Sequence, residues 1–152
     1  MKTKTTGLTL ALCFFAAALC FADDPQMGTW KLNEAESSFD PHVPKYHTVV
    51  YETVGDKVKI TGDGTDADGK STHNEWIGKF DGKDYAVTGD PTSDMRSYKK
   101  ISDRVLTFTI KKDGKVTIIG RVVISADGKT RMVYTSDPRT KDVKNRSVFD
   151  KQ

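Results

Sequence analysis

The chain has 152 residues, and its 24 Lys and Arg against 21 Asp and Glu give a formal net charge of +3 at pH 7. Such a balanced charge argues against a nucleic-acid-binding protein, which needs a clustered basic face. Both cysteines, Cys13 and Cys20, fall within an apolar segment near the amino end. Once that segment is removed, a cysteine nucleophile, a thiolate metal site and a disulfide are all excluded.

The amino-terminal segment has the features of an export signal. Lys2 and Lys4 precede an apolar run of 15 residues from Leu8 to Ala22. A membrane-spanning helix needs about 20 apolar residues, whereas a short run with a positive flank and small residues at its end is typical of a cleaved signal peptide. We predict cleavage after Ala22, which removes two lysines and leaves a single domain, 23–152, in the periplasm or outside the cell. Acylation of Cys20 is the weaker alternative, because a small residue is wanted where Leu19 stands.

Turn signals and alternating runs predict an all-β domain. Asp-Gly-Lys recurs at 68, 81, 113 and 127, and Asp-Gly supplies the positive φ angles that tight hairpins require. The runs between the turns are rich in Val, Ile, Thr, Tyr and Phe, and they alternate with a period of two, as half-buried antiparallel strands do. We predict strands at 28–33, 45–54, 57–64, 70–80, 84–88, 95–101, 104–112, 115–125, 129–136 and 143–150. Short connections indicate a meander, and closure removes its exposed edges, so we expect an up-and-down barrel of eight to ten strands.

The acidic stretch GDGTDADGKSTHNEW, at 62–76, resembles a calcium loop. A calcium loop of the helix–loop–helix type needs a ligand at its first position, where this chain has Gly64, and helices on both sides. We therefore predict a hairpin turn there. A metal site at His47, His73 and Glu75 is also disfavoured, because strands two places apart lie about 10 Å from each other. No cofactor is expected.

The first predicted strand opens with GTWKL, from Gly28 to Leu32. This motif, with the ten-strand meander behind it, resembles the lipocalins and the related fatty-acid-binding proteins. The resemblance implies that Trp30 plugs the closed end of the barrel and that a basic residue of the last strand, Arg146, packs across its ring. The helical lid and the closing Arg-x-Tyr pair of fatty-acid-binding proteins are absent, with Ser147 and Phe149 at the positions of that pair. The chain looks closer to short, secreted, lipocalin-like bacterial proteins of unassigned function.

Apolar residues at inward positions are candidates to line a ligand cavity: Val58, Ile60, Trp76, Phe80, Leu106, Phe108, Ile118, Val122, Met132, Tyr134 and Phe149. The same pattern fits a core filled with side chains. We expect an exported barrel that binds a small apolar or amphiphilic molecule, either neutral or with its polar head at the mouth. The alternative is a secreted or envelope interaction protein with a filled barrel and an undefined protein partner. No nucleophile or acid–base pair indicates an enzyme, and short, poorly apolar segments such as 84–88 disfavour an outer-membrane barrel.

Overall fold

The computed structural model describes residues 24–40 and 43–152, so the predicted signal segment, 1–22, lies outside the described residues. Ten antiparallel strands form a closed barrel in which every strand pairs with its neighbours in the chain and β1 pairs with β10. The strands are β1 (Gly28–Leu32), β2 (Lys45–Val54), β3 (Lys57–Thr65), β4 (Ser71–Gly78), β5 (Tyr85–Thr88), β6 (Met95–Ser102), β7 (Val105–Lys112), β8 (Lys115–Ile124), β9 (Thr130–Ser136) and β10 (Val143–Lys151). The predicted all-β barrel is confirmed.

Helical structure in the described part of the chain amounts to one 3-10 turn, Glu34–Glu36, between β1 and β2. The side chain of Asn33 caps this turn by accepting a hydrogen bond from the Glu36 backbone N–H at 3.3 Å. Within those same residues, no helix is long and apolar enough to cross a membrane.

The acidic stretch forms the hairpin between β3 and β4. Asp66 Oδ1 accepts hydrogen bonds from the backbone N–H groups of Asp68 at 3.0 Å and Lys70 at 2.9 Å. Gly69 takes the positive φ angle, +81°, that the turn requires. The carboxylate of Asp66 therefore ties its own turn together, and the predicted hairpin is confirmed.

One end of the barrel, called the floor below, is closed by large side chains. Trp30, Trp76 and Leu106 are fully buried there. The indole N–H of Trp30 donates to the carbonyl oxygen of Gln26 at 3.1 Å, which joins the chain before β1 to the barrel floor. Trp76 meets the ring of Tyr98 edge-on, with 4.8 Å between ring centroids. This end is therefore a packed aromatic core.

The cation that approaches Trp30 is not Arg146, and this corrects the sequence prediction. Arg146 Nη1 donates to the carbonyl oxygen of Glu36 at 2.7 Å, on the outside of the barrel. Lys151 Nζ and the guanidinium carbon of Arg131 lie 5.2 and 5.8 Å from the Trp30 ring centroid. Lys151 is the register partner of Trp30 across the closing seam. Arg146 is five residues away from Lys151, an odd number, so its side chain points to the opposite face.

Candidate ligand cavity

A cavity of about 430 Å³ lies inside the barrel, between the aromatic floor and the opposite end. Its walls are mostly apolar and include Val49, Ile60, Phe108, Ile118, Val122, Val133 and Phe149. The mouth is formed by the connection from β1 to β2 and by the loop from β5 to β6, which contribute Phe39, Val43, Asp90 and Thr92. Ligand pockets commonly have about 300–1,000 Å³ and largely apolar walls, so this space has the size of a small-molecule site.

Five of the sequence-predicted residues line this cavity: Ile60, Phe108, Ile118, Val122 and Phe149. Three others, Trp76, Phe80 and Leu106, belong to the aromatic core below it and do not line it. The ring of Phe80 stacks on Trp76 with 6.3 Å between centroids, which fills the floor. The inward side chains of this aromatic core pack against one another at the closed end of the barrel, and they therefore do not line the cavity.

Met132 and Tyr134 lie on the outer face of β9, which corrects their predicted inward position. The residues of β9 that line the cavity are Arg131, Val133 and Thr135, and side chains alternate along a strand. Apolar residues occur on both faces of this strand, so the hydrophobic pattern did not decide its phase. The inward face also carries Arg131, and arginine is usually an exposed residue type. The sequence pattern therefore favoured the opposite face of the strand.

Arg96, on β6, is the centre of a buried polar network in the cavity wall. It is only 4% exposed. Its Nη2 lies 2.5 Å from Asp90 Oδ2 and 3.2 Å from the Tyr46 hydroxyl oxygen, and its Nη1 lies 3.1 Å from Asn74 Oδ1. The guanidinium thus links β2, β4 and β6 to the loop between β5 and β6. A buried cation with a carboxylate partner and further acceptors has its charge compensated.

The carboxylate of Asp90 remains ionised in this network. Burial raises its pKa, but hydrogen bonds from Thr92 and Ser93 and the positive charge of Arg96 outweigh burial and hold the pKa below its ordinary value. The Thr92 and Ser93 hydroxyl groups each donate to it at 2.7 Å. The mouth of the cavity therefore carries a fixed, internally neutral ion pair.

Arg131, on β9, is a second buried arginine, and its surroundings are different. It is 3% exposed, and its guanidinium carbon lies 4.0 Å from the ring centroid of Tyr51. Nη2 donates to the Tyr51 hydroxyl oxygen. Nε and Nη1 have no hydrogen-bond partner within 24–40 and 43–152, and no carboxylate of that part of the chain pairs with this arginine. Two arginines, Arg96 and Arg131, therefore line the cavity, and the apolar pattern of the sequence did not indicate either of them.

The two histidines among the described residues, His47 and His73, take part in separate surface contacts. His73 Nδ1 lies 2.6 Å from Asp63 Oδ1, and both side chains are more than half exposed. His47 Nε2 lies 3.2 Å from the hydroxyl oxygen of Thr65. In the part of the chain that the structure describes, no three metal-ligating side chains form a cluster.

Comparison of the sequence with known protein-family models and with curated proteins finds no match. The fold and the cavity geometry therefore carry the functional argument.

Proposed function

We propose that this chain is an exported, lipocalin-like barrel that binds one small amphiphilic molecule in its interior. The observation that carries this proposal is the cavity of about 430 Å³ with mostly apolar walls and a few polar side chains. A water molecule occupies about 30 Å³ of liquid, so the cavity corresponds to roughly fourteen water volumes. A ligand with a similar number of non-hydrogen atoms would fit.

The distribution of side-chain size explains why this barrel encloses space. Bulky aromatic rings gather at the floor, where Trp30 and Trp76 are fully buried. Higher in the barrel, the inward residues are smaller, among them Val49, Val133 and Gly62. A barrel of this strand number has room inside for side chains or for one small ligand. Small residues at mid-height favour the binding function over the alternative of an interaction protein with a filled interior.

A neutral probe tests the binding function without any assumption about charge. We expect 1-dodecanol to bind one site per chain in isothermal titration calorimetry, with a negative heat-capacity change from apolar burial. Ile118→Trp places a large ring in the cavity and should reduce this binding at least tenfold. Ile119→Trp is the matched control, because Ile119 is the next residue of β8 and faces outward.

The control variant should bind dodecanol as the wild type does. If the wild type binds no dodecanol, or if both tryptophan variants weaken binding equally, the cavity is not the binding site and the proposed function fails.

A further inference from the structure

Among the residues that the structure describes, the buried guanidinium of Arg131 has no anionic partner, whereas the other cavity arginine has one. Arg96 is paired with Asp90 at 2.5 Å. Arg131 has the Tyr51 hydroxyl and ring, while its Nε and Nη1 are shielded from water and have no acceptor among the described residues. An arginine side chain cannot lose its charge at neutral pH. Buried charges in proteins are normally paired, so an unpaired one points to a missing partner.

Tyr51 adds a second polar group at the same place. It is 3% exposed and lines the cavity beside Arg131. Its oxygen accepts the hydrogen bond from Arg131, and its own O–H has no acceptor in the described residues. A tyrosine hydroxyl both accepts and donates. The pair therefore offers one uncompensated positive charge and one free donor at the floor of an otherwise apolar space.

We infer that the natural ligand is a monoanionic amphiphile, an alkyl carboxylate, bound with its head group at the floor against Arg131 and Tyr51. This inference rests on the proposed function and specifies its ligand. The carboxylate supplies the counter-charge for Arg131 and accepts the Tyr51 O–H, and the alkyl chain lies along the apolar walls toward the mouth.

The charge balance of the cavity favours this class over the other candidates. Asp90 and Arg96 neutralise each other, so the net charge of the lining side chains is that of Arg131 alone. A carboxylate carries one negative charge and matches it. A phosphate monoester carries about −1.5 to −2 at pH 7 and would leave an excess negative charge in a low-dielectric space. A cationic amphiphile would bring two buried positive charges together.

The test compares two probes that share an alkyl chain and differ in charge, dodecanoate and 1-dodecanol, by titration calorimetry at pH 8. We expect wild-type protein to bind dodecanoate more tightly than dodecanol. Arg131→Met should weaken dodecanoate binding roughly 10- to 100-fold, the range for loss of a hydrogen bond to a charged group, and thereby lower the ratio of dodecanoate affinity to dodecanol affinity. Arg121→Met is the matched control on the exposed outer face of β8 and should change neither.

The stability of ligand-free Arg131→Met separates a binding role from a structural one. Replacing an uncompensated buried charge by an apolar side chain of similar length should leave the melting temperature unchanged or raise it. A role in packing alone would lower the melting temperature and would weaken both probes equally. Should this variant not fold, Tyr51→Phe decides, because it removes only the hydroxyl group that accepts from Arg131 and should weaken dodecanoate more than dodecanol.

Equal binding of the two probes by the wild type, or an unchanged dodecanoate-to-dodecanol ratio in Arg131→Met and Tyr51→Phe, overturns the carboxylate inference and leaves the proposed function standing. Failure of the wild type to bind either probe overturns the proposed function itself.

Discussion

The ion pair between Asp90 and Arg96 should contribute a large share of the stability of the barrel, and Asp90→Asn tests this. The substitution keeps the size of the side chain and removes its charge. The side chains of Asp90 and Arg96 are only 11% and 5% exposed. Asparagine cannot balance the guanidinium, so Arg96 would become a second uncompensated buried cation in the same cavity.

The expected loss follows from this burial. Breaking a buried ion pair by removing one partner lowers the free energy of unfolding by about 3–5 kcal/mol, because the remaining charge stays buried. Asparagine retains one oxygen that accepts from Arg96 or from the Thr92 and Ser93 hydroxyls, so we expect about 3 kcal/mol. For a domain of this size, that corresponds to a decrease in melting temperature of about 10 °C.

Asp84→Asn is the matched control. Asp84 pairs with Lys111 at 2.6 Å, but these side chains are 34% and 28% exposed. Exposed pairs contribute about 0.2–1 kcal/mol because water screens them. Urea unfolding of the wild type and both variants at pH 7, followed by tryptophan fluorescence, gives the two differences in the free energy of unfolding.

The pH dependence gives a second check with a defined sign. The pKa of Asp90 is lower in the folded protein than in the unfolded chain, whose reference value is 3.8. A lowered pKa contributes stability that is present above the unfolded value and is lost as pH falls through the folded value. The stability difference between wild type and Asp90→Asn should thus be constant above about pH 5 and shrink below about pH 4. If Asp90→Asn and Asp84→Asn differ by less than about 0.5 kcal/mol at pH 7, the reasoning about the buried pair is refuted.

Further predictions concern the floor, the wall and the amino end. Trp30→Ala should lower the free energy of unfolding by about 3–5 kcal/mol, and a double-mutant cycle with Lys151→Ala should show a coupling of about 0.5–1 kcal/mol; zero coupling would contradict the cation–π contact. Gly120→Ala should destabilise by about 1–3 kcal/mol, because a Cβ there would lie 2.1 Å from Cζ of Phe108; unchanged urea unfolding would contradict this overlap. Mass spectrometry of exported protein should find Asp23 as the first residue, and an intact amino terminus would contradict signal cleavage.

The strands and their order were readable from the sequence because their signals are local. An Asp-Gly turn such as the one at Gly69 depends on a few neighbouring residues, and alternation along β7 or β8 depends only on which face meets the core. The predicted strands therefore agree with the observed ones to within a few residues at each end. Closure also followed, because a long meander with short turns otherwise leaves two unpaired edges.

The contents of the barrel were decided by the tertiary structure. Which cation meets Trp30 depends on the register across the seam between β1 and β10, which pairs residues more than a hundred positions apart. The phase of β9 places Arg131 inside, although hydrophobicity favours the face that carries Met132 and Tyr134. Whether inward side chains fill the interior depends on the position of each residue along the barrel axis. That position follows from the closed register, and no local sequence pattern encodes it. Alternation therefore determines that a strand has an inside face, and the closed register determines which residues share the interior and whether they leave a cavity.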